Sequence, residues 1–168
     1  INVSFNEVNG GSFSIKAGKK NMLMPCIDIK DYLIKEENEG FGGLEKYRKF
    51  ELQIKNSKKE IIQFFRKIKK DNKTIAGIGA STKGNVLLQY CELNVNDLPI
   101  IGEVNKDTIG CFTPGTSIPI VSQEDVINQN PDYLFVLPWH FKKFFLENNK
   151  FKGKKLVFPL PSLEIIQL

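Results

Sequence analysis

From Thr74 to Phe158, short apolar runs alternate with stretches of helical pattern, and this alternation constrains the fold more than any other feature of the chain. Thr74-Ile75-Ala76-Gly77-Ile78, Pro99 to Val104, Ile118 to Val121, Tyr133 to Leu137 and Leu156-Val157-Phe158 are short and apolar, as strands buried on both faces are. Residues 83–92 and 141–149 read as helices between them. A third helix begins after Ser122, a good N-cap, with Glu124 and Asp125 favouring the dipole of its first turn, and Pro131 ends it. Pro119 places the 118–121 strand at a sheet edge. Strand and helix taking turns predicts the α/β class: a parallel sheet with helices on both faces.

The first part of the chain reads differently. Gly10-Gly11 signals a turn, and Ser12 to Ala17 alternates polar with apolar as a half-exposed strand does. A short helix is expected from Asp28 to Glu39, ended by Gly40, Gly42 and Gly43. From Leu44 to Lys70, Tyr47, Phe50, Ile54, Ile61, Phe65 and Ile68 form one stripe of an amphipathic helix, expected to pack on a core. Residues 1–43 are therefore expected to be a small strand-and-helix extension, and 44–168 the main domain. Ile1 stands in place of an initiator Met, as in a chain that begins mid-protein or after processing.

Composition narrows the function classes. No apolar run nears the roughly 20 residues that cross a bilayer, and no signal peptide opens the chain, so no membrane partner is expected. Net charge is +5, but the lysines are spread along helical surfaces and mixed with acids, which argues against nucleic acid while suiting a phosphate-bearing ligand. Cys26, Cys91 and Cys111 are far apart and odd in number, as expected of reduced thiols in a cytoplasmic protein. With His140 the single histidine, no metal site is expected in this chain.

The chemistry-bearing stretch is Gly77-Ile78-Gly79-Ala80-Ser81-Thr82-Lys83-Gly84-Asn85, at the turn from a strand into a helix. Ligands of open α/β sheets bind at the carboxyl ends of strands, and a helix N-terminus there attracts phosphate. Gly79 and Gly84 would let the backbone approach a ligand, and Ser81, Lys83 and Asn85 add donors and one positive charge. The dinucleotide fingerprint GxGxxG fails at Thr82, and a Walker A loop fails at the order Lys83-Gly84-Asn85. A glycine turn used only for strand–helix packing would look the same. Glu103, near the end of the second strand, is placed to accept from ribose hydroxyls, or is a solvated acid. Trp139 and His140 follow the strongest strand. Trp139 could stack on a base or sugar or simply pack, and His140 could donate to phosphate or sit at the surface.

Together with Leu87-Leu88, the glycine-loop residues resemble the G-Y-G-A-x-x-K-G-N-x-L-L signature of SAM-dependent sugar C-methyltransferases. Thr113 to Ile120 resembles that family's T-P-G-T-x-I-P-I segment, Pro131-Asp132-Tyr133 with Leu137-Pro138-Trp139 its P-D-Y…L-P-W strand, and Gly10-Gly11-Ser12 its G-G-S. The resemblance runs in order along nearly the whole chain. It departs at Glu103, where the family usually has aspartate, at His140, often asparagine, and at Ile78, often tyrosine.

The resemblance implies a Rossmann-like C-terminal domain that helps hold a nucleotide-linked keto-deoxysugar, a dTDP-sugar. The implied site comprises Gly79, Ala80, Ser81, Lys83, Gly84, Asn85, Glu103, Trp139 and His140. It also implies an upstream SAM-binding domain and a zinc site outside this chain. In the implied reaction a base removes the proton beside the ketone and the carbanion takes the SAM methyl group. The family's acid/base residues precede this chain, so no catalytic residue and no cofactor are expected within it. Two alternatives stand beside this reading: a stand-alone nucleotide-binding oxidoreductase and a non-catalytic interaction domain.

Overall fold

The computed structural model describes residues 2–19 and 29–168, in two compact units, Ile1–Ile54 and Lys55–Leu168. In the first unit, β1 (Asn2–Asn6) and β2 (Ser12–Lys16) form an antiparallel hairpin around a tight turn in which Asn9 adopts φ 56°. Their register pairs Val3 with Ile15 and Phe5 with Phe13, so one face is apolar, and Ser4 and Ser14 share a 2.7 Å hydroxyl contact on the other. The sequence reading finds β2 and misses β1, although Asn2–Asn6 alternates just as regularly. Helix α1 (Ile29–Asn38) matches the expected helix except at its ends. Asp28 and Cys26 lie outside the described residues. Gly40, at φ 81°, supplies the left-handed turn beyond α1.

Helix α2 (Leu44–Lys70) runs unbroken through the expected span, yet only its second half is a core helix. Ile61, Phe64, Phe65 and Ile68 are buried, whereas Tyr47, Phe50 and Ile54 are exposed. The stripe read from sequence is therefore corrected: the period is right, but only its end has a core to meet, and Phe64 belongs to that end.

The second unit holds six strands: β3 (Ile75–Ile78), β4 (Ile101–Glu103), β5 (Ile120–Ser122), β6 (Tyr133–Val136), β7 (Lys155–Phe158) and β8 (Glu164–Gln167). They lie in the order β5-β4-β3-β6-β7-β8, parallel except for β8, which pairs antiparallel with β7. The sequence reading ends the sheet at β7; Glu164-Ile165-Ile166-Gln167, short and half polar, carries no signal a buried strand would. As Pro119 requires, β5 is an edge strand.

Strand residues alternate between two cores. Ile75, Ile101, Phe135, Leu137 and Val157 meet α2 and α3 (Thr82–Tyr90) through Phe65, Leu87, Leu88 and Cys91. Ala76, Ile78, Leu134, Val136, Leu156 and Phe158 meet α4 (Gln123–Asn128) and α5 (Lys142–Glu147) through Val126 and Phe145. A period of two along each strand thus fills both faces of the sheet. Ser122 caps α4, accepting from the Asp125 N–H at 3.1 Å.

Two of the sequence motifs prove to be joinery. At the amino ends of β3 and β6, the Asp132 carboxylate accepts from the Thr74 N–H at 2.8 Å, the Thr74 hydroxyl at 2.9 Å and Lys73 Nζ at 3.0 Å. These bonds hold the Asp132 carboxyl down to about 2, the Thr74 backbone contributing most. In Thr113-Pro114-Gly115-Thr116, the buried threonine hydroxyls meet at 2.6 Å, and Thr113 Oγ1 accepts from the Ile118 N–H at 2.8 Å. Gln89 of α3 donates to the Pro114 carbonyl at 3.0 Å and so pins this turn.

Candidate functional site

The strand order fixes where a site can form. The chain leaves β3 toward β4 and β5, then returns to lay β6 and β7 on the other side of β3. This reversal places the loops after β3 and β6 side by side at the carboxyl end, where open α/β sheets bind ligands. Ile78 pairs with Val136, and the Leu137 N–H donates to the Ile78 carbonyl at 3.0 Å, so Gly79 and Leu137 leave the sheet as neighbours.

The two loops interlock through the glycines. A Cβ on Gly79, at φ +80°, would lie 2.7 Å from Cδ and Cγ of Pro138, and one on Gly84 would lie 2.6 Å from Leu137 Cβ. The close approach these glycines permit is thus to the neighbouring loop. Pro138 and Leu137 occupy the space that a side chain at these positions would need.

Most amide donors of the loop are also spoken for. The Ala80 N–H donates to Glu103 Oε2 at 2.7 Å, the Ser81 N–H to the Gly79 carbonyl at 2.8 Å, and the Gly84 N–H to Ser81 Oγ at 3.0 Å. Ser81 is the N-cap of α3. Glu103 Oε1 accepts from the Val104 and Asn105 N–H groups at 2.6 and 3.1 Å, so the carboxylate braces two loops at once. Exposed at the first turn of α3 stand Thr82 and Lys83, with the positive end of the helix dipole behind them.

Lys83 and Asn85 are two residues apart, about 200° around the helix axis, and so lie on opposite flanks. Lys83 lies toward His140. Burial, and then the Lys83 charge, lowers the imidazole pKa below its ordinary value. Asn85 shares its flank with Gln89, the residue that holds the Thr113–Thr116 turn. The strand reversal gathers Gly79, Ala80, Ser81, Lys83, Gly84, Asn85, Glu103, Trp139 and His140 at the carboxyl end of the sheet, with Asn85 on the flank of α3 opposite Lys83. Among the described residues, Asn85 Oδ1 and His140 Nδ1 are buried without a hydrogen-bond partner, and such atoms call for a ligand or water. Trp139, partly buried, packs against both hydrophobic cores. The next aromatic, Phe141, was read only as the start of a helix; it stands exposed at the lip, its ring centroid 4.3 Å from that of His140.

Two depressions of about 470 and 380 Å³ lie instead around Lys73, toward the amino ends of β3 and β6. Mixed charges line them, and neither contains a residue of the loops just described. The carboxyl end of the sheet is the better candidate because it combines the strand reversal, a capped helix start, a cation and an unpaired buried nitrogen.

The profile of a protein family described as "C-methyltransferase C-terminal domain" matches residues 7–161. The chain belongs to this family. It is also 28% identical over 172 residues to C-methyltransferase NovU of Streptomyces niveus, an alignment covering 99% of this chain and 40% of that protein. The C-methyltransferase C-terminal domain thus spans about two fifths of the length of this curated relative. Among its described residues, no group of three or more His, Cys, Asp or Glu side chains could hold a metal ion, and no helix is long and apolar enough to cross a membrane.

Proposed function

We propose that this chain is the substrate-holding domain of a SAM-dependent C-methyltransferase and binds a nucleotide-linked keto-deoxysugar, with a dTDP-sugar as the expected ligand. The observation that carries the reading is the meeting of Lys83, the first turn of α3 and the unpartnered His140 Nδ1 at the strand reversal. A diphosphate supplies the negative charge that the helix end and Lys83 attract. A phosphate or sugar oxygen gives His140 the hydrogen-bond partner it lacks. Ser81, Gly79, Gly84 and Glu103 act by holding this geometry rather than by touching the ligand.

The acid that would take ribose hydroxyls, Glu103, already accepts three backbone N–H bonds, and the described residues carry no metal-ligand cluster. SAM and zinc are assigned to an upstream domain of the enzyme, as the family resemblance implies. Free thiols at Cys91 and Cys111, the latter exposed, suit a reducing cytoplasm.

Calorimetric titration with dTDP, and in parallel with SAM and NADH, tests the reading. Binding of dTDP alone is expected, weakened about 10- to 100-fold in Lys83→Ala by loss of a charge-assisted contact. Binding of SAM or NADH in place of dTDP would overturn it, in the second case in favour of an oxidoreductase.

A further inference from the structure

We propose that Phe141 is the platform on which the planar base of the bound nucleotide stacks. The inference rests on the nucleotide-sugar reading and deepens it by naming the group that meets the base. Sequence alone points to Trp139 for such a role, but Trp139 is engaged with both cores. Phe141 is 48% exposed. Its backbone is fixed, because it ends the short turn Trp139–Phe141 and its N–H donates to the Pro138 carbonyl at 2.9 Å. Pro138 in turn fills the space over Gly79, so the ring is carried on the element that interlocks with the glycine loop.

Neighbouring pairs then make a series. Lys83 acts on His140, and the rings of His140 and Phe141 lie 4.3 Å apart, tilted by 41°. The cation, the polar ring and the apolar ring suit in turn the phosphate, the sugar and the base of a nucleotide. An aromatic face covered by a base removes apolar surface from water and adds stacking attraction. Phe144, three residues on in α5 and 60% exposed, makes its ring contact with Phe145 and serves as a control of similar exposure.

The test titrates the chain, Phe141→Ala, Phe141→Tyr and Phe144→Ala with dTDP and with inorganic pyrophosphate, after urea unfolding has shown each variant folded. Phe141→Ala is expected to weaken dTDP about 5- to 100-fold, the range for loss of one base–aromatic stack, and to leave pyrophosphate binding unchanged. Phe141→Tyr keeps the ring and should bind dTDP as the parent chain does, as should Phe144→Ala. Unchanged dTDP affinity in Phe141→Ala, or equal losses for dTDP and pyrophosphate, overturns the platform and leaves the phosphate site standing. Equal losses in Phe141→Ala and Phe144→Ala would show that truncating either aromatic disturbs the region alike, and would also overturn a specific platform at Phe141. A parent chain that binds neither ligand removes both the platform and the reading beneath it.

Discussion

Gly79→Ala is the substitution whose cost the structure lets one take apart. Gly79 and Gly153 have nearly the same φ, +80° and +79°. An alanine at either pays about 1–2 kcal/mol for the left-handed conformation, and the unfolded-state gain from losing a glycine is common to both. Their surroundings differ. A Cβ at 153 meets nothing within 4 Å, whereas at 79 it would sit 2.7 Å from two atoms of the Pro138 ring, which cannot swing aside. Overpacking adds about 1–3 kcal/mol, so Gly79→Ala should be the more damaging by that amount. In urea the two midpoints should differ by on the order of 0.5–1.5 M at similar slope. A double-mutant cycle isolates the clash: Pro138→Ala removes the two close atoms and keeps a Cβ at 3.8 Å, so Gly79→Ala in that background should cost no more than Gly153→Ala. Equal losses at 79 and 153 in the parent chain, or a penalty that survives in Pro138→Ala, would refute the interlocked loops.

Other consequences follow from single contacts. Asp132, held down to about 2 against an ordinary 3.8, contributes stability that is fully present above about pH 4 and is lost as pH falls toward 2. Urea midpoints measured across that window should fall steeply in the parent chain and less so in Asp132→Asn, which should be less stable at neutral pH. Cys91 is buried and its thiol pushed up to about 11 by that burial, while Cys111 is exposed. Peptide mapping after maleimide labelling should find Cys111 modified in the native chain and Cys91 only after unfolding. Glu103→Gln exchanges one carboxylate acceptor for a donor and strands a backbone N–H of the two braced loops. It should cost about 1–2 kcal/mol in urea unfolding and weaken dTDP binding by misplacing the loop, whereas an acid that touched ribose directly would weaken binding without loss of stability.

The sheet was legible because its strands are apolar throughout and bounded by helix caps and prolines, a pattern with few other readings. Ser122 and Pro119 told of an N-cap and an edge, and both stand so in the structure. What escaped was structure whose pattern is weak or whose partner is unseen. β8 is half polar because it closes the far edge of the sheet, and α2 carries one continuous stripe whether or not a core lies beneath all of it. At the site, spacing located the loop but not its wiring. No sequence rule says that Glu103 reaches back to Ala80, that Pro138 fills the space over Gly79, or that Trp139 faces inward and Phe141 outward. Those facts depend on which loops the strand reversal brings together. Adjacency in the motif likewise does not say that helical geometry sets Lys83 and Asn85 on opposite flanks of α3.

Because the chain has one histidine, the imidazole of His140 can be followed by NMR as a single signal. Its pH titration, run with and without dTDP, tests the central claim most directly. In the free chain the pKa should lie below the ordinary histidine value, through burial and the Lys83 charge. Bound diphosphate should shift the resonance and raise the pKa, since an anion beside the ring favours its charged form. An imidazole signal that ignores saturating dTDP, or one that moves with NADH or SAM instead, would contradict the assignment of a nucleotide-sugar site to this end of the sheet.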